Sequence, residues 1–457
     1  MHYVSLVLSC LLLTACTPEV STLKKPVKQK IVKEEKKQAL LKPPKKLVVE
    51  SIEEFSWVSQ KPSFYTQRVS FENNIASDLF FENYFRVWNI EKVSISKEDA
   101  MWAHSLYSEK NGYAENLQKL KSSFFKKLMI NANYDSFATL NKKALSLKLL
   151  NIRSMPTDSV VLLDPKKAGE GFPFDYLQNS TIAPNKPLLI SHYSKDGAWA
   201  FVESSFAFGW VHTRDIVTIA EKYTKIWQQA EQVFLLKDHQ PIYAKDGSFL
   251  FYSRIGMMLP LIKEEKEGYR VLTISNTKHN KIFYESSVIS KEYAHKGVLS
   301  FTQENVASLL EELSQSKYGW GGMYAQRDCS STLRDFYIPF GLWLPRNSYQ
   351  QSRASQKLVL LENLTPNEKI ALIKKEAIPF RTLLYKKGHI VLYVGVVNDK
   401  IMIYQNVWGV KTVTKEGVEG RFIIGKPIFS TLEVGSNLET FDKSASMLEK
   451  LYSMTTF

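Results

Sequence analysis

The chain has 457 residues, 44% hydrophobic and 23% charged, a balance that supports several buried cores and excludes a chain disordered throughout. Its formal net charge is +14, yet no stretch reads as a nucleic-acid module, so the basicity points to an anionic wall or membrane surface. The eight histidines lack paired spacing, so no metal site is expected, and the expected chemistry needs no cofactor.

Residues 1–16 hold a short apolar run, Val4 to Leu13, ending Leu13-Thr14-Ala15-Cys16. The run is too short to cross a bilayer as a helix and reads as an export signal. Its end resembles a bacterial lipobox, which implies cleavage before Cys16 and lipidation of Cys16, giving a membrane anchor. With Cys10 removed and Cys16 lipidated, Cys329 is the remaining thiol and no disulfide forms within a mature chain. Residues 17–50 carry ten lysines, four glutamates and Pro18, Pro26, Pro43 and Pro44. Self-repelling charge and low hydrophobicity make this an extended tether.

Residues 51–145 read as a mainly helical domain, rich in aromatics such as Phe80, Phe81, Tyr84, Phe85 and Trp88, with no catalytic cluster. His104 is expected to be packed rather than to act as a ligand. The texture then changes to short strands and turns. Over 146–215 the Asp196-Gly197 turn and the closing Gly209-Trp210-Val211 signal a hairpin within a small barrel. A weaker copy follows over 216–290, with strands at Gly256 to Ile262 and Gly268 to Val271. Residues 291–430 carry the chemistry. Beyond them, within 431–457, Leu438 to Met454 reads as an amphipathic helix.

The chemical signal concentrates in Tyr318 to Gln351. Cys329 stands between Asp328 and Ser330, after the run Tyr318-Gly319-Trp320-Gly321-Gly322, and opens a helix predicted over Ser330 to Tyr337 and stopped by Pro339. A thiol at a helix N-terminus faces free N–H groups and the positive end of the helix dipole, which favour the nucleophilic thiolate. The glycines are expected to let a ligand approach the backbone. Downstream, His389 begins a strand through Gly395 that turns at Asn398-Asp399-Lys400 into a second apolar run, Ile401 to Val407. A cysteine with a separate histidine is the pattern of thiol catalysis, with imidazole taking the thiol proton.

Tyr-x-Trp-Gly-Gly at 318–322, Asp-Cys-Ser at 328–330, Gly-x-x-Leu-Pro-Arg-x-Ser-x-x-Gln at 341–351 and Gly-His-Ile at 388–390 together resemble the NlpC/p60 family of papain-like cell-wall cysteine peptidases. The resemblance extends to its multi-domain branch with bacterial SH3-like domains. It implies a multidomain α+β fold: an N-terminal helical domain that clasps the rest, two small SH3-like β-barrels at 146–215 and 216–290, and a papain-like catalytic domain. It also implies hydrolysis of peptidoglycan stem peptides or muropeptide fragments, most often between γ-D-Glu and the diamino acid (meso-diaminopimelate or Lys).

Carried over by position, the resemblance makes Cys329 the nucleophile and His389 the general base, with the orienting residue at Gln405. There the family more often has His-Asn-x-Trp-Gly, and this chain has Gln405-Asn406-Val407-Trp408-Gly409. A glutamine carbonyl still accepts from an imidazole N–H, whereas Asn406 is expected on the opposite strand face. The resemblance also assigns Tyr318, Asp328, Ser330 and Ser348 to substrate contacts. Arg327 and Arg346 hold loops by ion pairs, or Arg327 meets a substrate carboxylate. The Cys329 N–H is the natural oxyanion donor. Trp320 is expected in core packing, and His192, Tyr193 and Asp196 of the first barrel are expected to line the cleft or to lie on an exposed hairpin. The expectation is a monomeric, lipid-anchored envelope peptidase that binds no nucleic acid; the alternative is a catalytically impaired, SH3-containing wall-binding lipoprotein.

Overall fold

In a computed structural model that describes residues 51–72, 74–278 and 281–457, helix α1 (Phe80–Asn89) turns five buried side chains to one side: Phe80, Tyr84, Phe85, Val87 and Trp88. That spacing is the apolar stripe of a 3.6-residue period. The stripe packs between two small β domains, against Leu145, Leu189 and Val217 of the first and Val233, Phe234 and Met258 of the second. The indole N–H of Trp88 donates to the carbonyls of Ala144 and Leu188, at 3.3 and 3.2 Å. A second helix, α2 (Ser122–Asn131), buries Phe125 and Leu128 beside Met155 and Val161. The export signal, Cys16 and the tether lie outside the described residues. Among the described residues, no helix is long and apolar enough to cross a membrane.

The first β domain comprises β1 (Lys142–Ser146), β2 (Leu150–Arg153), β3 (Gln178–Ile182), β4 (Pro187–Tyr193), β5 (Trp199–Glu203), β6 (Phe208–His212) and β7 (Ile216–Thr218). They form one sheet in the order β3-β2-β6-β5-β4-β1-β7, which reaches a few residues beyond 146–215 at both ends. Helix α3 (Glu221–Gln229) leads into β8 (Gln232–Leu235) of the second domain. There the hairpin β9 (Pro241–Tyr243) and β10 (Phe249–Tyr252) stands apart. The strands β11 (Met258–Glu264), β12 (Gly268–Lys278), β13 (Lys281–Ser290) and β14 (Ala294–Lys296) complete a sheet ordered β13-β12-β11-β8-β14.

Helices α4 (Gln303–Ser314) and α5 (Cys329–Tyr337) then pack on a six-stranded sheet. Its strands are β15 (Lys357–Leu360), β16 (Thr382–Lys386), β17 (His389–Val397), β18 (Lys400–Val413), β19 (Glu419–Thr431) and β20 (Ser453–Thr456), with α6 (Pro366–Glu376) between β15 and β16. The order is β15-β20-β16-β17-β18-β19. Alternation sorts the side chains: Ile390, Leu392, Val394, Met402 and Tyr404 face α5, while Val391, Tyr393, Ile401 and Ile403 fill the other side. The N-terminal segment closes the α5 side, with Tyr65 stacked on Phe429 at 4.4 Å.

The predicted C-terminal helix over Leu438 to Met454 does not form. The helix there is one turn, Met447–Lys450, capped by Ser446. The chain then enters the sheet as β20, between β15 and β16. Met447, Leu448 and Leu451 have helical spacing but fill the core beside Ile373 and Leu384; long-range strand pairing outweighs local periodicity here.

Candidate active site

Cys329 is the first residue of α5, and Asp328 caps that helix by accepting from the Ser331 N–H at 2.9 Å. The Ser331 hydroxyl accepts from the Asp328 N–H in return, which completes a capping box. Among the described residues the Cys329 N–H has no backbone acceptor. The N–H groups of Ile390 and Ser330 favour the thiolate, and Ile390 follows His389 in β17.

His389 opens β17, and its Nε2 lies 2.8 Å from Gln405 Oε1. Gln405 Nε2 donates to Ser430 Oγ at 2.7 Å, and that hydroxyl donates to the Thr431 carbonyl at 3.0 Å. The relay fixes the glutamine amide with its oxygen toward the histidine. Nε2 therefore carries the proton and Nδ1 is the basic nitrogen. Asn406 projects to the other face and donates to Arg327 O and Thr332 Oγ1, at 2.8 and 2.9 Å.

The turn expected at Asn398-Asp399-Lys400 is one residue shorter, which changes how His389 and Gln405 come to share a face. The turn is two residues, with Asn398 and Asp399 at φ of 49° and 63° between paired Val397 and Lys400. That pairing alone puts His389 and Gln405 on opposite faces. A bulge restores the parity. Tyr393 pairs with Ile403 and Gly395 with Met402, leaving Val394 extra, and Gly395 takes a φ of 123°.

The surroundings of Cys329 act against the expected thiolate in the substrate-free chain. Burial, then the Asp328 carboxylate, push the Cys329 thiol up to about 12, against the pull of the Ile390 N–H, Arg346 and the Ser330 N–H. Burial and Lys386 lower His389 to about 4. Both shifts oppose a charged thiolate–imidazolium pair in the substrate-free chain.

Cys329 opens on a cleft of about 750 Å³, whose wall includes Tyr318, Asp328, Ser330 and Ser348. Tyr318 is held protonated, its pKa raised by burial and by Cys329, so its hydroxyl keeps a proton to donate. Asp328 and Ser330 reach the cleft with their polar atoms engaged. Arg346 donates to Asp328 Oδ2 at 2.7 Å and to Ser330 Oγ at 2.9 Å, while its Nε donates to Ser180 Oγ of the first β domain at 2.6 Å. These bonds order the loop that carries Cys329.

Arg327 does not reach the substrate side. It is 1% exposed and pairs with Asp238 of the second β domain and with Asp335, the latter at 2.7 Å. Arg254, also from the second domain, joins this cluster through Asp335 at 3.1 Å and the Ala325 carbonyl at 2.7 Å.

The first β domain does face the cleft, though not through His192, Tyr193 and Asp196. His192 is fully buried, with Nε2 3.0 Å from Ala132 O, and Asp196 is held in its turn by Ser194 and Ala198. The cleft is lined by Tyr176, Gln178, Asn179 and Phe206 instead, with Trp102 and Tyr107 from the N-terminal domain. Trp320 is a half-buried part of this wall rather than core; its N–H donates to Asp175 O at 3.0 Å. His104 is packed edge-on against Tyr134, and burial lowers it to about 4. Gly321 and Gly322 serve domain contact, because a Cβ at either would overlap Gln178 or Thr181.

Family models match the chain in order: the NLPC_P60 stabilising domain, N-terminal, over 5–137; an SH3 domain of SH3b1 type over 161–212; an SH3 domain of SH3b2 type over 221–266; and the NlpC/P60 family over 315–422. Among solved structures, the chain resembles an NlpC/P60 endopeptidase from Photobacterium damselae subsp. piscicida at 22% identity and a TM-score of 0.74, over 87% of this chain and 97% of that one. It also resembles an NlpC/P60 family protein from Bacillus cereus ATCC 10987 at 14% identity and a TM-score of 0.44, over 69% and 99%. No curated protein matches it. From these four domains in sequence and the shared fold, the chain belongs to the NlpC/P60 family, in its multidomain branch with an N-terminal helical domain and two SH3-like domains.

Proposed function

We propose that this chain is a peptidoglycan hydrolase, a cysteine endopeptidase that cleaves stem peptides between γ-D-Glu and the diamino acid. The observation that carries the reading is the relay His389–Gln405–Ser430, which leaves Nδ1 of His389 free to serve as the base. Nδ1 takes the thiol proton as the sulfur attacks the amide carbon, so a C–S bond forms and the carbonyl electrons move to oxygen. The free Cys329 N–H supports that oxyanion. Collapse breaks the C–N bond, and the leaving amine takes the proton from the imidazolium, which leaves a thioester. Water, deprotonated by His389, then displaces the sulfur and frees the carboxylate.

The aromatic cleft of about 750 Å³ suits a short branched peptide. The signal, the lipobox-like Cys16 and the tether support placement in the bacterial envelope on a lipid anchor. Defined muropeptides incubated with wild type and C329A, followed by mass spectrometry, test the activity. The expected result is cleavage by wild type alone at the γ-D-Glu bond. Cleavage by both proteins, or by neither, overturns the reading.

A further inference from the structure

The chain of bonds that orients His389 does not end at Ser430. Ser430 faces Ile403 in the register of β18 and β19, so it and Gln405 are diagonal neighbours on one sheet face. Its hydroxyl accepts from Gln405 Nε2 and donates to the Thr431 carbonyl. The backbone around Ser430 therefore sets where that hydroxyl points. β19 is the last strand of the sheet, and among the described residues no strand covers its outer edge. Such an edge is free to fray unless something else holds it.

Two side chains from the N-terminal segment hold it, at the residues that bracket Ser430. Gln60 closes both backbone groups of Phe429: its Nε2 donates to the carbonyl at 2.8 Å, and its Oε1 accepts from the N–H at 3.0 Å. Glu54 takes both donors of Thr431, its carboxylate accepting from the N–H and, at 3.0 Å, from the hydroxyl. The segment is itself anchored, because Ile52 packs with Val407 and Ile428, and Tyr65 stacks on Phe429. Glu54 is 6% exposed. Burial pushes its carboxyl up, against the pull of the two Thr431 donors and of Lys400. A carboxylate in the interior is a costly way to fill space. What it adds is direction: it fixes Thr431, whose carbonyl receives the Ser430 proton.

We propose that Glu54 and Gln60 are positioning residues for the hydrolysis, clamping the β19 edge so that Ser430 holds Gln405, and Gln405 holds His389, in the reacting geometry. This rests on the hydrolase reading above and gives the N-terminal segment a part in turnover. Neither residue lines the cleft that holds Cys329. The clamp therefore acts on kcat rather than on substrate binding. Four bonds in series separate Glu54 from the imidazole, so coupling to Ser430 is the property to measure.

The test is steady-state hydrolysis of a γ-D-Glu-linked peptide by full-length variants. E54A and Q60A should each lower kcat about three- to tenfold with KM within about twofold of wild type, as expected for loss of a hydrogen bond that orients the base. E54Q should keep most of the activity, since a glutamine oxygen still accepts from the Thr431 N–H. A double-mutant cycle with Ser430 separates positioning from simple stabilisation. If the clamp acts through that hydroxyl, E54A or Q60A adds less than about twofold in kcat to S430A; a merely stabilising residue costs the same in both backgrounds. Gln60 is exposed, so Q60A carries the test if E54A does not fold. An unchanged kcat in folded Q60A, or effects that multiply in full with S430A, overturns the clamp while leaving the hydrolase intact. Failure of wild type to cleave the peptide overturns the hydrolase reading instead.

Discussion

Gln405 holds its carbonyl oxygen 2.8 Å from Nε2 of His389, and its amide nitrogen is committed to Ser430. A neutral glutamine thus sets the imidazole tautomer without adding charge. Replacing Gln405 with Leu leaves the buried Nε2–H without a partner and frees the ring to rotate. The expected effect is a fall in kcat of about ten- to a hundredfold with little change in KM, from a hydrogen-bond loss of about 1–3 kcal/mol. Q405E should retain the contact and shift the acid limb of the kcat/KM profile upward, because a carboxylate favours the imidazolium. Steady-state kinetics across pH distinguish these outcomes, and an unchanged kcat in Q405L removes the orienting role.

A second expectation concerns the thiol itself. Burial and Asp328 push Cys329 up to about 12 in the substrate-free chain. A free cysteine titrates near 8.5, so at pH 7.5 Cys329 should alkylate with iodoacetamide about tenfold or more slowly than a cysteine peptide. Fast alkylation that persists to low pH would reveal a preformed thiolate–imidazolium pair and reverse this assignment.

Two histidines make stability depend on pH. Burial lowers His104 and His389 to about 4 each, from an ordinary value of 6.5. Between those limits the unfolded chain binds protons that the folded chain does not, so stability rises with pH from about 4 to 6.5 and levels off above. Urea titrations at pH 4.5 and 7.5 should show the midpoint falling at the lower pH. H104F should flatten part of that slope, since its ring keeps the edge contact with Tyr134. An H104F slope equal to wild type would show that His104 plays no part in it.

Legibility of the sequence followed the range of the interaction. The helix behind Cys329 is local: Asp328 caps it and Pro339 ends its continuation, both readable from a few neighbouring residues. The pairing of His389 with Gln405 is only half local. The Asn398-Asp399 turn is visible in the sequence, but the bulge at Val394 that restores the shared face depends on register, which the sequence does not encode as a motif. The partners of Arg327 and the contacts of Gly321 come from other domains, so a charge and a glycine beside the nucleophile were open to a ligand reading. Strand β20 escaped notice for the same reason, its partners β15 and β16 lying far back along the chain.

The charge cluster behind the nucleophile gives the last expectation. Asp238 and Arg254 belong to the second SH3-like domain, while Arg327 and Asp335 flank Cys329 in the catalytic domain. All four are less than 9% exposed. Removing one charge therefore strands others in the interior, where water cannot solvate them. D238N should cost about 3–5 kcal/mol of stability, far more than an exposed ion pair returns. It should also disturb catalysis, because Arg327 is two residues before Cys329 and its carbonyl anchors Asn406. Restoring charge balance with D238N/R327Q should recover part of the lost stability, measured as non-additivity in urea unfolding. Strict additivity of the two substitutions would show that the SH3-like domain contributes no lock at this position.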